Sequence, residues 1–188
     1  MKRLSWKYIA GLIDGEGCLD VQVTHQRDYP GRPYVRPRVR IGLADSSRFL
    51  LDILLANHGG SISERKVAHT NPAWQDSSSW SLIGKQARPL LQNIVNHLEI
   101  KKEQAKLLIW MIDNVMGKHI GEELREHLRE ELKAMKRDPQ RLSEAAVHVA
   151  QELYKGNVEG KDCSVCGKSM RPHAKQDAHI AGRTDAIV

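Results

Sequence analysis

Trp6, Ile9, Ala10 and Ile13 recur at offsets of three, four and seven, the spacing of one helix face, with Ser5 ahead of them as an N-cap. The helix must stop by Gly15, and the period then changes. Leu19, Val21 and Val23 alternate with Asp20, Gln22 and Thr24, which predicts a strand with one wet face. DYPGRPY reads as a turn, and after it Val35, Val39, Ile41 and Leu43 alternate with Arg36, Arg38 and Arg40. The two strands are expected to form a hairpin with a long loop.

A second helix starts at Asp45 or Ser46, carries Phe49, Leu50, Ile53 and Leu54, and ends at Gly59 and Gly60. Two shorter strands, SISERKV and SWSLIG, follow on either side of a polar loop. Further helices are predicted from Ala87 to Leu98 and from Lys101 to Met116. This is an α+β order with helices covering one face of a sheet and the other face left for something else. From 118 to 155 the chain is charged and helical, broken at Asp138 and Pro139, as in a helical hairpin. Gly156 and Gly160 mark a linker to a cysteine-containing tail over 156–188, so the expected division is 1–117, 118–155 and 156–188.

The net charge of +6 and a pI near 9.3 favour a polyanionic partner over an acidic protein or a neutral solute. No apolar run approaches the roughly 18 residues of a membrane span, and the N-terminus lacks the hydrophobic core of a secretory signal. The chain is therefore expected to be soluble and intracellular, in cytoplasm, nucleoid or an organelle matrix, with no membrane partner. Three cysteines, Cys18, Cys163 and Cys166, do not make a disulfide framework.

GLIDGEG poses the chemical question, because Asp14 and Glu16 fall at a helix C-terminus, where each acid costs roughly 0.3 to 1 kcal/mol. One reading is a divalent metal held by carboxylate and helix-end carbonyl oxygens, with Gly15 and Gly17 making a left-handed turn. The other is a helix that ends at glycine, with Asp14 capping a local turn and Glu16 in water.

IAGLIDGEG resembles the LAGLIDADG motif of the homing endonucleases, differing only at Ile9, Gly15 and Glu16. The element order over residues 5 to 116 is similar to that family's αββαββα core, with an antiparallel DNA-binding sheet. The resemblance implies that Glu16, with the Gly15 carbonyl, binds Mg2+ or Mn2+ at a DNA cleavage centre. It also implies that motif helices pack at a two-fold interface, here through Trp6, Ile9, Ala10, Gly11 and Ile13. The chain has one motif, so the implied enzyme is a homodimer cutting both strands of a long, near-palindromic duplex. Lys101 matches by position the basic residue that precedes the last core helix in single-motif members, and it joins Glu16 as a catalytic candidate. Where a water-positioning glutamine is expected, ungapped matching places Leu43.

Arg36, Arg38 and Arg40 would project from one strand face at intervals of roughly 6.5 to 7 Å and could meet phosphates or guanine edges. Asp20, Gln22 and Thr24 would share that surface, with Arg27 and Arg32 as outer contacts. On the third strand either Ser63 and Arg65 or Glu64 and Lys66 face the groove, and both Arg65 and Lys66 are candidates. In the tail, Cys163, Cys166, His173 and His179 have the donor types of a tetrahedral zinc site, the alternative being a tail with free cysteines. The functions consistent with these residues are a homing endonuclease, a maturase that binds its host intron RNA, and a non-cleaving DNA-binding regulator.

Overall fold

The computed structural model describes residues 3–26, 29–66, 75–116, 118 and 120–158. Ser5 accepts the Tyr8 backbone N–H at 3.2 Å and starts α1 (Trp6–Glu16). The helix passes straight into β1 (Gly17–Gln26), past the stop expected at Gly15. Among the described residues only Gly59, Gly60 and Gly84 have positive φ, so neither Gly15 nor Gly17 makes the left-handed turn expected of them.

Gly17 is required for a different reason. A Cβ there would lie 2.6 Å from the Ile13 carbonyl oxygen and 2.7 Å from Ile13 Cα, and both are backbone atoms. Gly17→Ala is therefore expected to destabilise the fold by about 3 kcal/mol, the upper end of overpacking penalties. A Cβ at Gly15 meets nothing within 4 Å. Gly15→Ala removes a helical glycine and should add about 0.5 to 1 kcal/mol. Urea melts of the two variants check both signs.

β1 pairs antiparallel with β2 (Tyr29–Ala44), and Gln26 stands opposite Tyr29. The segment expected as turn is thus largely strand, and the long loop is replaced by a longer hairpin. β4 (Ser77–Ile83) pairs only with Arg38–Ala44 of β2. Among the described residues, 29–37 pair on the β1 side only, and this singly paired stretch carries Pro30, Pro33 and Pro37. β3 (Ser61–Arg65) completes an antiparallel sheet of order β1-β2-β4-β3.

Strand period two sorts the sheet into an apolar face and a polar face. Leu19 lies opposite Val39, Val39 opposite Leu82 and Ile41 opposite Trp80, all buried. Against them pack α1, α2 (Arg48–His58), α3 (Ala87–Ile94) and α4 (Lys102–Asn114), through Ile13, Leu51, Leu91 and Leu108 among others. α3 is shorter than expected and gives way to a 3-10 turn at Val95–His97.

α5 (Glu122–Arg137) and α6 (Ser143–Val158) form the expected hairpin. Leu124, Leu128, Leu132 and Met135 join the same buried cluster. The Glu103 carboxylate of α4 accepts the Ser143 N–H at 2.9 Å and its hydroxyl at 2.7 Å, tying the start of α6 to the core. No described helix is long and apolar enough to cross a membrane.

Candidate active site and nucleic-acid interface

The end of α1 is clasped by a segment far along the chain. Asp14 accepts the backbone N–H of Glu99 at 2.8 Å and of Lys101 at 2.9 Å, across separations of 85 and 87 residues. Lys101 Nζ in turn donates to the Ile13 and Asp14 carbonyl oxygens, each at 2.7 Å. A cation therefore sits on the negative end of the helix, and Asp14 is spent on two peptide N–H groups. Its role is neither a local turn cap nor an open metal ligand. Burial pushes the Lys101 ammonium below the ordinary lysine range, while the charges of Asp14, Cys18 and Glu16 pull it back.

Glu16 and Gly15 remain exposed at the rim. A carboxylate and a helix-end carbonyl are the hard oxygens that Mg2+, Mn2+ or Ca2+ takes, so this donor set fits a divalent ion. Among the described residues no three His, Cys, Asp or Glu converge on one point.

The polar face of the sheet begins beside this rim. Cys18, Asp20 and Gln22 of β1 stand opposite Arg40, Arg38 and Arg36 of β2, which places all six on one side. Arg38 forks onto Asp20, Nε to Oδ1 at 2.8 Å and Nη2 to Oδ2 at 2.9 Å. Burial would raise the Asp20 carboxyl, but the Arg38 fork, joined by the Cys18 thiol and the Lys136 charge, holds that group below the usual range. The three arginines are therefore unequal, with Arg38 committed within the sheet and Arg36 and Arg40 exposed.

The same face continues over β4 and β3. Arg40 is opposite Ser81 and Gly42 opposite Ser79, while Ser61, Ser63 and Arg65 are opposite Ser81, Ser79 and Ser77. This settles the choice on β3 in favour of Ser63 and Arg65. Lys66 instead pairs with Asp45 at 3.2 Å, and Glu64 with Arg48 of α2, on the helical side. Lys66 is thus removed from the groove-facing set. The serine ladder Ser77, Ser79, Ser81 carries no motif of its own, although its alternation in SSSWSL is visible once β4 is aligned.

Leu43 stands opposite Ser78 and packs against the core, so its position serves packing and not water ordering. Ile9, Ala10 and Ile13 are fully buried within the protomer. The outer face of α1 is formed by Tyr8, Gly11, half-buried Leu12 and Gly15, with Trp6 about one-third exposed. An apolar stripe at helical spacing reports burial without reporting which body does the burying. Arg27, Cys163, Cys166, His173 and His179 lie outside the described residues, as do the side chains of Thr24 and Arg32. Lys136 of α5, 118 residues from Cys18, carries no sequence signal, yet its Nζ lies 3.3 Å from the Cys18 sulfur.

No family model matches the chain. Over 112 residues it is 25% identical to the DNA endonuclease I-CvuI of Chlorella vulgaris, a match that covers 58% of this chain and 65% of that protein's length. Its fold is similar to I-CvuI in complex with a DNA target (TM-score 0.57, 21% identity, 79% of this chain and 94% of the other). It is also similar to the archaeal intron-encoded homing endonuclease I-Vdi141I complexed with DNA (TM-score 0.54, 19% identity, 80% and 97%). The nine-residue motif, the sheet order and these relatives agree, and the chain has the fold of the LAGLIDADG homing endonucleases and is related in sequence to one of them.

Proposed function

We propose that this protein is a site-specific endodeoxyribonuclease that acts as a homodimer and cleaves both strands of a long, near-palindromic duplex. The observation that carries this reading is the exposed Glu16 at the rim of a sheet face bearing Arg36, Arg40 and Arg65, with the Lys101 ammonium held nearby on the helix end. A basic, hydroxyl-rich surface supplies phosphate neutralisation and base-edge contacts. A divalent ion bound at Glu16 and the Gly15 carbonyl supplies charge neutralisation at the scissile phosphate and a water of lowered pKa. The chain's own share is to hold that carboxylate at the rim of the sheet face, with Lys101 opposing the charge that develops on the phosphate. I-CvuI has been solved with DNA in the presence of Ca, and in the presence of Mg with the DNA not cleaved, which supports divalent-metal use by analogy.

The dimer reading rests on the outer face of α1. Tyr8 is 47% exposed, and a Cβ at Gly11 or Gly15 meets nothing within 4 Å, leaving room for a second α1 to approach closely. An isologous pairing brings two Glu16 carboxylates toward one axis. Gly11→Leu is expected to give a folded monomer by sedimentation velocity, with a melting temperature that no longer depends on protein concentration. A Gly11→Leu dimer of wild-type strength would place the interface elsewhere.

The function itself is tested by selecting cut sites from a random duplex library with Mg2+. Discrete, near-palindromic sites support the reading. Folded protein that retains nucleic acid without cutting it would shift the reading to the intron maturase or the regulator.

A further inference from the structure

α5 ends in two basic residues, Lys136 and Arg137, and packs its buried Met135 into the core beside β1. That packing carries Lys136 over the edge of β1 to the polar side of the sheet. Its Nζ rests 3.3 Å from Cys18 Sγ, and Cys18 shares a face with Asp20 and Arg40 only two residues beyond Glu16. The ammonium is thus held between the metal-binding rim and the arginine-bearing strands.

Lys136 differs from its neighbours in what it pairs with. Lys106, Lys133 and Lys155 each meet a carboxylate three residues away on their own helix. Around Lys136 the corresponding helical positions are Leu132, Lys133, Pro139 and Gln140, which offer no acid. Among the described residues its polar partner is the Cys18 sulfur, a weak acceptor for a three-donor cation. The charge of Lys136 reaches Asp20, where it helps to hold the carboxyl low, and Lys101, where it acts against the second ammonium. Two cations within one another's field are unfavourable in the free protein and become favourable when a polyanion lies across them.

We infer that Lys136 binds a DNA phosphate beside the cleavage centre, so that the C-terminal hairpin is part of the nucleic-acid interface. The inference rests on the nuclease reading above. When duplex enters, the ammonium leaves the thiol for a backbone phosphate of the strand passing Glu16, fixing that strand's register.

The test is binding of a random-sequence fluorescent duplex by wild type, Lys136→Gln and Lys136→Arg, in Ca2+, over a series of KCl concentrations. In Lys136→Gln the slope of log K against log salt should become shallower by about 0.9 for each phosphate no longer neutralised, or about 1.8 for a dimer. Lys136→Arg should keep the wild-type slope. Wild-type binding with an unchanged slope in Lys136→Gln overturns this inference and leaves the nuclease reading intact. A wild type that retains no duplex at any salt concentration overturns both. The exposed position of Lys136 means the variants fold, which thermal melts confirm.

Discussion

Glu16→Gln is expected to lower double-strand cleavage by at least about a thousandfold while leaving duplex affinity near the wild-type value. The substitution keeps shape and removes one negative charge. Little in the fold leans on that charge, since Glu16 is exposed, makes no hydrogen bond or ion pair among the described residues, and is only one of three charges that favour the Lys101 ammonium. On the proposed reading affinity comes from the sheet face, where Arg36 stands opposite Gln22 and Arg65 opposite Ser77, both further along the strands than Arg40. Loss of a carboxylate beside phosphate should tighten nonspecific binding slightly if it changes it at all, because a repulsive charge is gone. Cleavage by purified Glu16→Gln at the wild-type rate would remove this acid from the reaction and with it the proposed metal centre.

Lys101→Met is the second large effect, and it separates two roles that one side chain combines. Methionine keeps the length and flexibility of the stem but leaves the Ile13 and Asp14 carbonyls without their 2.7 Å partner. Stability should fall by about 2 kcal/mol, two charge-assisted hydrogen bonds discounted for partial exposure. The Asp14 clasp on the Glu99 and Lys101 N–H groups survives, because those donors belong to the backbone. Cleavage should fall by about a hundredfold when measured well below the melting temperature, where the folded fraction is unchanged. A variant that melts early but cuts at full rate would make Lys101 a strut for α1 and nothing more.

The fold is legible wherever one periodicity runs uninterrupted. Leu19 to Val23 and Val39 to Leu43 alternate cleanly, and their register in the sheet follows that alternation. Tyr29 to Tyr34 misleads because proline and glycine usually punctuate a chain, whereas here they sit in a strand that pairs on one side only among the described residues. Glu16 and Lys101 can be singled out because each stands at a definite place in a motif or an element order. Asp14 cannot be understood in the same way, since its partners lie on the segment before α4. The same limit applies to Lys66 and Arg38, whose commitments to Asp45 and Asp20 arise from neighbouring elements. For the outer face of α1 the apolar signal even points inward, because Ile9, Ala10 and Ile13 are buried within the chain and the outer stripe mixes Trp6, Tyr8 and Leu12 with two glycines.

On the nuclease reading, the Asp14 clasp also sets when the protein can become dangerous to the cell that makes it. A DNA-cutting centre completed near the N-terminus could assemble on the ribosome before the rest of the chain existed. Here residues 13 to 16 stay without their clasp and their cation until Glu99 and Lys101 have been synthesised and docked. Nascent fragments and products of early termination therefore carry the motif without the assembled centre. On the proposed reading, the long sequence separation within the site keeps a genome-cutting activity silent during translation.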